Sequence, residues 1–251
     1  MTPESSTSPT LYVIAAARNE ADRVADTFDA LAAAFPGARL LLADDASDDG
    51  TAEIAMRHGA TVISRARPHG KGGNVTAAAE AALSELDRDD DPAFLLCDAD
   101  LGASAAELAP LVAAVKAGEC DLAVAAFAKR EGGGFGFALR YARDAIFDLC
   151  GFRADAPISG QRAMTLGCMR DVLPFADGFG MEIGMTVDAV RAGHRIREIE
   201  LPLTHRATFR TIRGFFHRAR QLRDFRRARR SRQGASIATE RVYEETRKND
   251  D

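Results

Sequence analysis

Acidic residues collect at three places in the 251-residue sequence: Arg18-Asn19-Glu20, Asp44-Asp45 with Asp48-Asp49 close behind, and Asp98-Ala99-Asp100. Each cluster follows a short apolar run, where a buried strand would give out. Carboxylates crowded together repel unless a cation or hydrogen-bond donors sit among them. Asp98 and Asp100 are alternate residues just after Phe94-Leu95-Leu96-Cys97. That spacing can turn two carboxylates onto a hard cation and leave coordination positions for diphosphate oxygens and water. Magnesium or manganese is the expected ion. An isolated Asp-x-Asp is common on surface loops, but its place after an apolar run, with a second acidic cluster ending an earlier run, marks a site. For Asp44 and Asp45 the alternative is capping of a helix that begins at Thr51, a task open equally to Asp48, Asp49 or Thr51.

Two further groups carry chemistry. Gly70-Lys71-Gly72-Gly73 can offer backbone N–H groups and one cation to an anion at the start of the helix that follows; an ordinary helix-start loop is the alternative. Glu182 precedes a helix whose Ile183, Thr186, Val187 and Val190 form an inward stripe, so it can be presented from the first turn towards a cleft. A hydroxyl acceptor would need it as general base. A phosphate acceptor, already ionised near pH 7, would need it only for orientation. The alternative is an acid favoured by the helix dipole.

The elements that must position these groups follow from apolar periodicity. Strands are expected at 11–16, 39–43, 60–63, 93–97, 121–126, around 162–166 and at 196–201, with helices at 21–35, 51–58, 71–86, 105–117, 137–149 and 181–192. Such alternation predicts an α/β fold: a mostly parallel sheet with helices on both faces, binding ligands beyond the carboxyl ends of its strands. The four glycines of the segment 129–136 suit the edge of an active site. The expected organisation is a mobile N-terminus at 1–10, a catalytic domain at 11–206, a basic amphipathic helix at 207–233 and a polar tail at 234–251.

Composition excludes several classes. No run of about 18 apolar residues is present and the first ten residues are polar, so the expectation is a cytoplasmic chain without a membrane span. The four cysteines lack Cys-x-x-Cys spacing, which disfavours a zinc or redox site. Net charge is -4, yet the segment 205–232 holds eleven arginines and one acid, Asp224. Phe209, Ile212, Phe216, Ala219, Leu222 and Phe225 recur there at helical spacing among the arginines. Such a helix can lie on an anionic membrane, bringing a polyprenyl-phosphate acceptor to the site, or pack on the acidic body; both stay open. Sparse aromatics argue against nucleic acid. No glycine follows the first strand in the segment 15–20, which disfavours a sugar nucleotidyltransferase or a dinucleotide-binding dehydrogenase.

In order and spacing, Ala15 to Glu20, Asp44 to Thr51, Gly70-Lys71-Gly72 and Asp98-Ala99-Asp100-Leu101 resemble the family 2 glycosyltransferases of the GT-A fold, and within them the polyprenyl-phosphate transferases of the dolichol-phosphate mannose synthase type. The resemblance implies a nucleotide-sugar donor, UDP- or GDP-linked, and a magnesium or manganese cofactor. It implies that Asn19, Glu20 and Asp45 face the nucleoside, that Lys71 lies near base or phosphate, and that Asp98 and Asp100 manage the metal-diphosphate, with Ala17, Asp44 and Ala99 completing the donor site. By the same likeness Glu182 is the acceptor-side carboxylate and His205 a metal ligand. Ala17 and Arg18 stand where Pro and Tyr are common, and Ala46 where glycine is, which leaves the base open. The pieces 132–134, 157–161, 178–184 and 205–206 resemble the glucosyl-3-phosphoglycerate synthases. Those continue the glycine loop with an arginine and a threonine that help hold phosphoglycerate; here Phe135-Gly136 follows, and the acceptor is not carried over. The alternatives are a transferase of that synthase type acting on a small acceptor, and a non-catalytic nucleotide-sugar binder or membrane-associated scaffold; a homodimer is a further expectation.

Overall fold

The structure is a computed structural model and describes residues 10–127, 136–202, 227, 228 and 230–232. Seven strands form one sheet: β1 (Leu11–Ala17), β2 (Arg39–Asp44), β3 (Thr61–Ser64), β4 (Ala93–Asp98), β5 (Leu122–Phe127), β6 (Arg162–Met164) and β7 (Ile196–Leu201). Their order is β3-β2-β1-β4-β6-β5-β7. All neighbouring pairs are parallel except those of β6, which runs antiparallel to both β4 and β5. The expected mostly parallel α/β sheet is thus present, with one reversed strand that periodicity could not reveal.

Strand residues alternate between two cores, as a period of two requires. Leu11, Val13 and Ala15 of β1 pack with α1 (Val24–Ala34) and α4 (Ala109–Lys116), while Tyr12 and Ile14 pack with α3 (Lys71–Ser84), α6 (Leu166–Val172) and α7 (Met181–Arg191) on the other face. Tyr12 and Phe94 stack across β1 and β4 with ring centroids 5.5 Å apart. A smaller core joins α5 (Gly136–Cys150) to α7 through Ala142, Ile146, Ile183 and Val187. The short α2 (Thr51–Arg57) follows β2.

Several expected boundaries shift for local reasons. The helix expected at 105–117 is a 3-10 helix, Gly102–Leu108, followed by α4, with Pro110 in α4's first turn where its missing N–H costs nothing. The strand expected to reach 166 stops at Met164, because Thr165 caps an unforeseen helix, α6, by accepting from Cys168 N. At α2 the N-cap position falls to Gly50, with φ 87° and no side-chain cap bond, and Asp49 just before it accepts from Thr51 N at 3.1 Å. Cys97, Cys120, Cys150 and Cys168 are free thiols. No helix among the described residues is long and apolar enough to cross a membrane. The segment 129–135, most of the basic helix at 207–233, and the terminal segments 1–9 and 234–251 lie outside the described residues.

Candidate active site

The carboxyl ends of β1, β2 and β4 lie side by side: Ala17 pairs with Asp44 and Ala16 with Asp98. The three acidic clusters therefore meet along one edge of the sheet. Their carboxylates nevertheless have different partners.

Asp44 is buried and braces its own loop, accepting from Ser47 N at 3.2 Å, Ser47 Oγ at 2.5 Å and Ser64 Oγ of β3 at 2.9 Å. Asp45 reaches the glycine loop instead. Its Oδ1 accepts from His69 N at 2.7 Å, Gly70 N at 3.2 Å and Asn74 Nδ2 at 2.5 Å, and Oδ2 lies 3.7 Å from Arg18 Nη1. Ala17 is buried, and its carbonyl accepts from Asp45 N at 3.0 Å. Asn19 adopts a left-handed φ of 58°; its N–H donates to Ser47 Oγ at 2.9 Å and its Oδ1 accepts from Asp48 N at 3.0 Å. Glu20 N donates to Thr51 Oγ1 at 2.9 Å. Asn19 and Glu20 thus lock the loop after β1 onto the loop after β2, with Asn19 exposed and Glu20 partly exposed beside it.

Lys71, the first residue of α3, is directed to the end of β4. Its Nζ lies 2.7 Å from Asp98 Oδ1 and 3.1 Å from Glu182 Oε1. Burial alone lowers the ammonium's pKa, but the two carboxylates outweigh that and hold it above the usual lysine range. The loop leading into α3 packs tightly enough to need its glycines: Gly70 has φ 78°, and a Cβ on Gly72 would stand 1.9 Å from the Ala176 carbonyl oxygen. Glu182, 6% exposed, sits in the first turn of α7, as its position in the sequence predicts.

The second oxygen of Asp98 accepts from Gln161 Nε2 at 2.7 Å. Asp100 is partly exposed; burial, then the Asp98 charge, raises its carboxyl pKa, and Arg23 and Lys71 oppose that rise. Two neighbouring acids that disfavour each other's ionisation form a donor set suited to a hard cation. Among the described residues no group of three His, Cys, Asp or Glu side chains converges on one point. Ligands from the diphosphate and water would complete a magnesium or manganese shell, as is usual for magnesium. His205 lies outside the described residues. Ala99, expected at the donor, is fully buried in the core; its N–H donates to the Ala16 carbonyl at 2.9 Å and its carbonyl accepts from Thr27 Oγ1 at 2.8 Å. It anchors the turn between the two acids and presents no group to a ligand.

Sequence reasoning passed over Gln161 and Arg162 as site residues. Arg162 is 1% exposed; its Nε donates to Ser159 O at 2.8 Å and its Nη1 to Thr186 Oγ1 at 3.0 Å, while Thr186 Oγ1 donates to the Glu182 carbonyl at 3.0 Å. Burial pushes its pKa down to about 10, with Glu182 and Glu198 opposing that fall. The available signal was a Gln-Arg pair at the start of an otherwise apolar strand. Polar groups there must find buried partners.

The profile of the family described as "Glycosyl transferase family 2" matches residues 12–170. Similar solved structures include glucosyl-3-phosphoglycerate synthase from Mycobacterium tuberculosis in three complexes. The complex with Mg2+ and uridine-diphosphate is 26% identical, covers 90% of this chain and 80% of that one, and has TM-score 0.70. The complex with Mn2+ and uridine-diphosphate-glucose is 26% identical, covers 88% and 79%, and has TM-score 0.66. The complex with Mn2+, uridine-diphosphate and phosphoglyceric acid is 26% identical, covers 88% and 78%, and has TM-score 0.67. No curated protein sequence matches. With the acidic strand ends gathered on a GT-A sheet and the family profile spanning more than half of the sequence, the chain belongs to glycosyl transferase family 2 and is a glycosyltransferase.

Proposed function

We propose that the protein transfers a sugar from a UDP-sugar to an acceptor hydroxyl beside Glu182, with Mg2+ or Mn2+ at Asp98 and Asp100. The observation that carries this is the single Lys71 ammonium touching both Asp98 and Glu182. The metal-side and acceptor-side carboxylates are thereby one ammonium apart, as a transfer between two bound substrates requires. Uridine is preferred over guanosine because the similar synthase structures hold uridine-diphosphate or its glucose conjugate.

The metal would supply Lewis-acid stabilisation of the departing diphosphate. The chain's own groups do the rest. Asp45 fixes the glycine loop, Lys71 brings positive charge to the place where diphosphate charge develops, and Glu182 takes the proton of the attacking hydroxyl.

A polyprenyl-phosphate acceptor is the second reading, favoured by the eleven arginines of 205–232. A negatively charged surface would attract that segment, and such an acceptor needs no base.

The test is a panel of UDP- and GDP-sugars with Mn2+, offered hydroxylated small acids or polyprenyl phosphate in anionic vesicles. Turnover of a UDP-sugar with a small acceptor, abolished in Asp98→Asn/Asp100→Asn, supports the first reading. Turnover confined to the lipid acceptor replaces it with the second. Donor binding without transfer to any acceptor would overturn both.

A further inference from the structure

Gly160, at the entry to β6, is glycine for a reason other than its backbone. It is not among the residues with positive φ. A Cβ placed there would stand 2.3 Å from Lys71 Nζ, 3.3 Å from Asp98 Oδ2 and 3.5 Å from Asp98 Oδ1. The first distance is far inside contact, so the lysine ammonium occupies the place a side chain would fill. The segment cannot retreat to make room. Ser159 and Gln161 are each 3% exposed, Arg162 Nε holds the Ser159 carbonyl, and the Gln161 carbonyl accepts from Ala125 N at 3.0 Å. Lys71 can yield, because its end is a flexible chain of methylenes.

We propose that Gly160 is a positioning residue for the transfer reaction, acting through Lys71: its bare backbone is the seat that keeps the ammonium between Asp98 and Glu182. With a methyl there, Nζ must leave one or both carboxylates, and the two acids then face each other without their shared cation. The inference rests on the reading of Asp98 and Glu182 as donor-side and acceptor-side groups. The seat itself is set by geometry alone.

The test compares the full-length wild type with Gly160→Ala, Lys71→Met and the double variant, using one readout that needs no turnover. The sequence has four lysines, and Lys116 serves as internal reference. An acetylating reagent followed by peptide mass spectrometry should modify Lys71 several-fold faster relative to Lys116 in Gly160→Ala than in wild type. The second readout is kinetic. Gly160→Ala should retain cooperative thermal unfolding and lose about tenfold or more in kcat, and the double variant should be no slower than Lys71→Met, since residues acting through one group are non-additive. An unchanged labelling ratio, or losses that multiply in the double variant, overturns the inference. Absence of turnover in wild type would instead count against the proposed transfer reaction, while the labelling ratio still decides the seat.

Discussion

Asp45 at the end of β2 accepts a 2.5 Å hydrogen bond from Asn74 in the second turn of α3, and the same oxygen takes the N–H groups of His69 and Gly70. One carboxylate thus suspends the loop that carries Lys71. Asp45→Ala strands three donors, at an expected cost of about 3 kcal/mol, or roughly 10 °C in Tm. Asn74→Ala should cost less than half of that, since two backbone donors keep the carboxylate. Thermal melts of both variants check the ranking; equal losses would contradict the division of labour.

Arg232 rests on α7. Its Nε donates to Asp188 Oδ1 at 2.8 Å, and its carbonyl accepts from Arg191 Nη1 at 3.0 Å. A Cβ on Gly184 would lie 2.8 Å from the Arg232 Cζ. Arg232→Ala should destabilise by about 1–2 kcal/mol, as expected for a partly buried charged hydrogen bond. Gly184→Ala should give a comparable loss in wild type and a much smaller one in the Arg232→Ala background, where Ala176 Cβ at 3.1 Å is the close neighbour left. Denaturant titration of the four proteins reads the coupling.

Asp121, just before β5, accepts from the Arg195 side chain at 3.0 and 3.1 Å and from its backbone N–H at 2.8 Å. These donors hold its carboxyl below the usual aspartate range. A depressed folded-state pKa stabilises above the unfolded pKa of about 4, and that stability is lost as pH falls through the folded value. Asp121→Asn should therefore melt below wild type at pH 7, with the gap closing as the pH is taken well below 4. A gap that stays constant with pH would rule out the ionised carboxylate as its source.

Glu182 separates the two acceptor readings. With a hydroxyl acceptor, Glu182→Gln should lower kcat by about 10²- to 10⁴-fold with donor KM little changed. With a phosphate acceptor the fall in kcat should stay within about tenfold. Steady-state kinetics on the best acceptor from the panel decides.

Much of this was legible in the sequence because it is local. Apolar runs such as Leu11 to Ala16 and Phe94 to Cys97, closed by polar and acidic residues, marked the strands, and the same pattern placed Asp44, Asp45, Asp98 and Asp100 at strand ends. Pairing of β1 with β2 and β4 then brought those ends together. Helix α6 went unread because it is only seven residues long, Leu166–Val172, and the strand expected around 162–166 absorbs its first residue; its start is marked by the cap bond from Cys168 N to the Thr165 hydroxyl.

Side-chain chemistry and strand-end position were determined by the amino-acid order itself, since both depend on residues a few places apart. Which groups touch was decided by tertiary structure. β6 runs antiparallel, so its entry, not its exit, lies at the edge where the parallel strands finish, and this delivers Gly160 and Gln161 to Asp98. Lys71, expected near base or phosphate, also reaches Glu182, 111 positions away. Strand direction and the packing of α3 against the turn before α7 are set by the whole core, and no short-range pattern encodes them.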